Sequence, residues 1–191
     1  MFSIYLLRHG DIDIKKGTYY GVTDYNLSIL GKIQIEKIAK KLKNEDIEYI
    51  LTSPLRRALQ SGEVISKIID KKIIVDHLLI EKSFGIFEGL TFKEIREQYP
   101  KEYSEWMNDW YNYKMPEGES AKQLHMRCVK LKEKVFKNKK NVLIVSHQGC
   151  IRYLMSEMLS LPSESMWRFS IDNGKMAKLI VNDEGYAYLE V

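Results

Sequence analysis

Three short apolar runs in this chain each end directly in reactive side chains. They are Leu6-Leu7-Arg8-His9-Gly10, Leu51-Thr52-Ser53-Pro54-Leu55-Arg56-Arg57 and Val145-Ser146-His147-Gln148-Gly149. Short apolar runs bounded by turn residues read as buried strands, here Phe2–Leu7, Tyr49–Thr52 and Asn141–Ser146. Helical patterns separate them. Strands alternating with helices predict an α/β fold, a three-layer sandwich with a mainly parallel sheet. Ligands of such sheets bind outside the carboxyl ends of the strands. Arg8, His9, Arg57 and His147 are therefore expected to converge at one rim although they are distant in sequence.

The intervening segments support that reading. Ser28 opens a helix with Ile35, Ile38, Ala39 and Leu42 at helical spacing. Pro54 suits the first turn of a second helix running to about Ile69, before a strand at Ile73–Val75. Ser120 and Gln123 form a capping box ahead of the stripe Leu124, Cys128, Leu131 and Val135. A helix follows from about Gly149 to Leu159, then a hairpin of Ala177–Asn182 and Tyr186–Val191 turning at Asp183–Gly185. Residues from about 84 to 117 interrupt the alternation and read as a lid. Pro100 divides two short helical patterns there. Trp106 and Trp110 are four apart and are expected to share a helical face, either as core or as an aromatic wall for a ligand. Trp167 and Cys150 read as core packing, and His77 and His125 as exposed or structural.

The chain has 191 residues, which fits one domain over 1–191. Apolar residues at 45% and charged residues at 29% argue against disorder. Cys128 and Cys150 cannot build a disulfide framework or a four-thiolate zinc site. A cytoplasmic location is expected, with no membrane partner, since no apolar run approaches a membrane span. A net charge of +4 is too mild, and its basic residues too scattered, to point to nucleic acid. It suits a small anionic substrate. Arginine forks with histidines make an anion site. No carboxylate cluster for a metal and no Walker or GxGxxG loop accompanies them, so no metal or other cofactor is expected. Histidine can itself serve as nucleophile, and adjacent arginine charge is expected to keep one imidazole neutral.

Arg8-His9-Gly10 resembles the signature of the histidine phosphatase (phosphoglycerate mutase-like) superfamily. Tyr20-Gly21-Val22-Thr23-Asp24 with Leu27, Ser28 and Gly31 is similar to that family's next motif. Ser53-Pro54-Leu55-Arg56-Arg57-Ala58 resembles its second arginine motif. Glu81 with Phe84-Gly85 and Glu88-Gly89 resembles its acid motif, and His147 its second histidine. The resemblance implies metal-independent phosphomonoester hydrolysis. His9 would carry the phosphoryl group, Arg8, Arg57 and His147 would hold its oxygens, and Glu81 would be the acid. Tyr20, Gly21, Gln148, Trp106 and Trp110 complete the expected substrate contacts. Where many members carry an Asn after the first histidine, this chain has Lys15, so Lys15 or Lys16 is expected to substitute. Tyr103-Ser104-Glu105-Trp106, Asn108-Asp109-Trp110 and Met166-Trp167 further resemble the α-ribazole-5′-phosphate phosphatase group. The alternatives are a broad phosphatase for esters such as phosphoserine, a mutase, or an inactive signalling or scaffold member. A homodimer is compatible with the sequence.

Overall fold

The structure, a computed structural model, describes residues 1–190. Six strands form one sheet: β1 (Phe2–Arg8), β2 (Tyr49–Thr52), β3 (Ile73–Val75), β4 (Val142–Ser146), β5 (Met176–Val181) and β6 (Ala187–Glu190). Their order is β3-β2-β4-β1-β5-β6. The first four in that order are parallel, and the β5–β6 hairpin adds antiparallel at the β1 edge.

The pleat divides the core. Tyr5 and Leu7 of β1 and Leu143 and Val145 of β4 face one side. They pack with Ile35, Ala39 and Leu42 of α1 (Ile29–Leu42) and Ala58 and Ile65 of α2 (Arg56–Ile69). Ile4, Leu6, Val142 and Ile144 face the other side, against Leu124, Leu131 and Leu154 of later helices. Truncating one such buried Leu or Ile to Ala costs about 2–5 kcal/mol.

Between β3 and the later helices in the chain come α3 (Phe92–Gln98) and α4 (Pro100–Asn108), with Pro100 in the first turn of α4. Phe87, Ile95, Trp106 and Met115 build a separate small core there. The remaining helices are α5 (Ala121–Asn138) and α6 (Gln148–Met158). Ser120 and Gln123 make the reciprocal bonds of a capping box at the start of α5, 3.1 and 2.9 Å long.

The second helix starts later than Pro54 suggests. Leu55 is still extended, and the Asp24 side chain caps the Arg56 N–H at 2.7 Å from a distant loop. The segment holding α3 and α4 also differs in one detail. α4 stops at Asn108, because Asp109 accepts from the Asn112 backbone N–H at 3.1 Å and turns the chain. Trp110 therefore lies beyond the helix and does not share its face with Trp106.

Candidate active site

Sheet register sets the site. Arg8 pairs with Ser146 across β1 and β4, and Thr52 pairs with Val145 across β2 and β4. One residue further, the His9 N–H donates to the Ser146 carbonyl at 3.0 Å, and the Ser53 N–H to the Val145 carbonyl at 3.1 Å. Three reactive segments thus leave their strands at one level. The chain leaves β1 through α1 toward β2, and β4 is inserted between the two. His9 and His147 meet in the resulting crevice with ring centroids 5.2 Å apart.

His9 is buried, and its Nδ1 lies 2.7 Å from the Gly10 carbonyl. A carbonyl only accepts, so Nδ1 carries the hydrogen and Nε2 keeps its lone pair. Burial holds the His9 pKa well below the usual imidazole range, and the charges of Arg57 and Arg8 push the same way. Burial also lowers His147, followed by Arg57 and His9. Both rings are therefore neutral near pH 7. His147 Nε2 lies 2.8 Å from Ser53 Oγ.

Arg57 is fully buried, whereas its neighbour Arg56 is exposed. Arg57 donates to the Thr23 carbonyl at 2.8 Å and the Gly21 carbonyl at 2.5 Å, and sits over the Tyr20 ring. Arg8 donates to the Ile171 carbonyl at 3.1 Å and the Tyr20 hydroxyl at 3.4 Å. Arg8 Nε, Arg57 Nε and His147 Nδ1 are buried without a partner among the described residues. Orphaned donors on groups flanking one neutral histidine are what an anion site requires, since the anion supplies the missing acceptors.

Glu81 is held by two backbone donors. Its Oε1 accepts from the Lys82 N–H and its Oε2 from the Gly149 N–H, both at 2.9 Å. Gly149 is in the first turn of α6, and a Cβ there would lie 2.6 Å from Glu81 Oε1. A second carboxylate fixes the opposite wall. Glu88 accepts from the backbone N–H groups of Gly21, Val22, Thr23 and Phe84 and from the Thr23 hydroxyl. It thereby anchors the carbonyls that grip Arg57.

A cavity of about 710 Å³ opens from this crevice. Arg8, His9, Glu81, His147, Gln148 and Tyr20 line its inner end, while Trp106, Trp110, Phe84 and Tyr19 line the rest with Lys82 and Tyr153. Arg57 and Gly21 are not among the residues that line it. Gly21 makes no cavity contact because Arg57 takes its carbonyl and Glu88 its N–H.

The family model for the histidine phosphatase superfamily (branch 1) matches residues 4–191. The chain belongs to this superfamily. An adenosylcobalamin/alpha-ribazole phosphatase of Escherichia coli is 27% identical over 193 residues, 98% of this chain and 94% of that protein. Phosphoserine phosphatase 1 of Hydrogenobacter thermophilus is 26% identical over 194 residues, 100% of this chain and 92% of that protein. The crystal structure of the alpha-ribazole phosphatase from Shigella flexneri superposes with a TM-score of 0.90 at 27% identity, covering 100% of this chain and 95% of that one. The chain is a phosphatase with the phosphoglycerate mutase-like fold.

Several side chains of this histidine phosphatase sit where sequence did not place them. Lys15 turns outward to Glu94, 3.2 Å away, and neither Lys15 nor Lys16 lines the cavity. Asn173 instead approaches His9, donating to the His9 and Gly10 carbonyls at 3.3 and 3.2 Å. Trp167 is 59% exposed rather than core. It packs edge-on against Trp110 at 5.3 Å, under the Arg152 guanidinium, at the cavity wall. Trp106 is both wall and core, buried against Phe87 and Tyr19. Lys82, Arg152, Tyr153 and Asn173 escaped sequence reasoning because no local pattern marks them. Glu88 lay inside a recognised motif, but the partners it holds in the loop at Gly21–Thr23 are more than 60 residues away in sequence.

Proposed function

We propose that this phosphatase hydrolyses α-ribazole 5′-phosphate, an activity belonging to cobalamin synthesis, through a phosphohistidine and without a metal. The observation that carries the reading is a single cavity joining a neutral, cation-flanked histidine to an aromatic wall. His9 Nε2 attacks phosphorus as the ester P–O bond breaks, and Glu81 delivers a proton to the leaving ribose oxygen. Glu81 then takes a proton from water, whose oxygen attacks phosphorus and frees His9 with release of phosphate. Arg8, Arg57 and the His147 Nδ1–H stabilise the transferring oxygens, positioning plus electrostatics being the main demands of phosphoryl transfer. Residues 84–117 act as the lid. The ribose is joined to a flat benzimidazole, which suits Trp106 and Trp110. A carboxylate-bearing ester such as phosphoserine is the second reading, favoured by the buried Lys82 ammonium.

His9→Ala is expected to abolish turnover, together with the acid-labile, base-stable phosphoryl label that substrate leaves on the wild type. Label on His147 instead would overturn the nucleophile. Activity is expected to survive excess chelator. A phosphomonoester panel decides the substrate, with α-ribazole phosphate expected to give the highest kcat/KM.

A further inference from the structure

We infer that Lys82 selects substrates by donating a hydrogen bond to an oxygen acceptor on the leaving alcohol, a ribosyl hydroxyl or a carboxylate. The inference rests on the phosphomonoesterase reading above. Lys82 is 7% exposed and lines the cavity, yet its Nζ has no hydrogen bond or ion pair among the described residues. A cation largely withdrawn from water without a protein partner is costly, and an acceptor bound in the cavity that Lys82 lines would offset that cost. Only aromatic faces hold it, with Nζ 4.9 Å from the Phe84 ring centre and 5.6 Å from that of Trp106. Both rings line the cavity that also holds His9 and Glu81.

The position in the chain is equally informative. Lys82 follows Glu81, the group proposed to protonate the leaving oxygen, and its own N–H fixes that carboxylate. Its backbone packs closely against Gly21 on the other side, where a Cβ would overlap the Lys82 carbonyl oxygen. The phosphoryl group already has Arg8, Arg57 and His147. Lys82 is thus left for what the ester oxygen is attached to. Burial lowers its pKa to about 8, while Glu81 and Glu119 act the other way. Most of the ammonium is charged at pH 7, and the charge is lost as pH rises through about 8.

The test compares wild type and Lys82→Met on ethyl phosphate, L-phosphoserine, and α-ribazole 5′-phosphate or ribose 5-phosphate. Ethyl phosphate offers no acceptor beyond the phosphoryl group. The expected result is that kcat/KM on one acceptor-bearing ester falls about tenfold or more relative to ethyl phosphate. The ester that responds names the acceptor: phosphoserine the carboxylate, the ribosyl esters the hydroxyl. Lys82→Arg should retain part of the preference. Equal losses on every ester would overturn the inference, as would a wild type with no preference over ethyl phosphate. If Lys82→Met does not fold, the wild type still decides. The ratio of kcat/KM for the preferred ester to that for ethyl phosphate cancels groups common to both, and should fall as pH rises through about 8. A flat ratio would overturn the role. Failure of α-ribazole phosphate as a substrate refutes the proposed function alone, because the phosphoserine arm still reads Lys82.

Discussion

His9 is neutral mainly because of where it is buried. Arginine charge, the cause visible in the sequence, comes second. The distinction has a thermodynamic consequence. His9 and His147 have folded pKa values below the roughly 6.5 of an unfolded histidine. Below about pH 6.5 the unfolded chain takes up protons that the folded chain refuses, so acid favours unfolding. Above that pH the contribution is flat. Below it, each histidine removes up to about 1.4 kcal/mol of stability per pH unit, until its folded pKa is reached. Urea unfolding free energies in phosphate-free buffer should therefore decline between pH 6.5 and 5. His147→Asn should decline less steeply, because one of the two groups is gone. An identical slope in that variant would transfer the acid sensitivity to other residues.

At the scale of elements, the first turn of α6 and the Glu81 carboxylate form one unit. Gly-to-Ala inside a helix ordinarily helps by roughly 0.5–1 kcal/mol. At Gly149 the new methyl would stand 2.6 Å from Glu81 Oε1, and the carboxylate must move. Gly149→Ala should leave the thermal midpoint within a few degrees yet lower kcat on ethyl phosphate by about tenfold or more. The loss should be smaller on p-nitrophenyl phosphate, whose leaving group needs less protonation. Equal rates for variant and wild type on both esters would separate the α6 terminus from the acid. The same scale explains what the sequence could disclose. β1, β4 and α5 were legible because their signals are local: a short apolar run, or a capping box followed by an apolar stripe. The start of α2 was not, because its cap, Asp24, is 32 residues away. Nor was the end of α4, where an Asp109 side-chain bond competes with the helix. The convergence of Arg8, His9 and His147 followed from strand ends alone. Lys15 departed because Glu94 offers it an exposed partner away from the cavity.

Across the whole molecule, the sheet rim holds the groups that a phosphoryl ester would meet, and residues 84–117, between β3 and α5 in the chain, hold the aromatic side chains proposed to distinguish one ester from another. The tryptophans of that segment are unequal. Trp106 belongs to the small core with Phe87, Ile95 and Met115, so Trp106→Ala should cost about 3–5 kcal/mol of stability besides any effect on substrate. Trp110 is only partly buried and leans on the exposed Trp167, so it can be removed with less damage. Stacking of a flat ring on such a side chain is worth about 1–3 kcal/mol, and about 1.4 kcal/mol corresponds to tenfold. Trp110→Ala is expected to lower kcat/KM for α-ribazole phosphate about tenfold more than it does for ethyl phosphate, measured on protein whose unfolding midpoint stays within a few degrees of wild type. Trp167→Ala should give part of the same loss, and the double variant less than the product of the two, because the rings touch and support one surface. A Trp110→Ala enzyme slowed to the same extent on both esters would mean that these rings shape the lid and not the ligand. The reading of an aromatic leaving group would then rest on relatives alone, and the buried ammonium of Lys82 would favour the carboxylate-bearing ester instead.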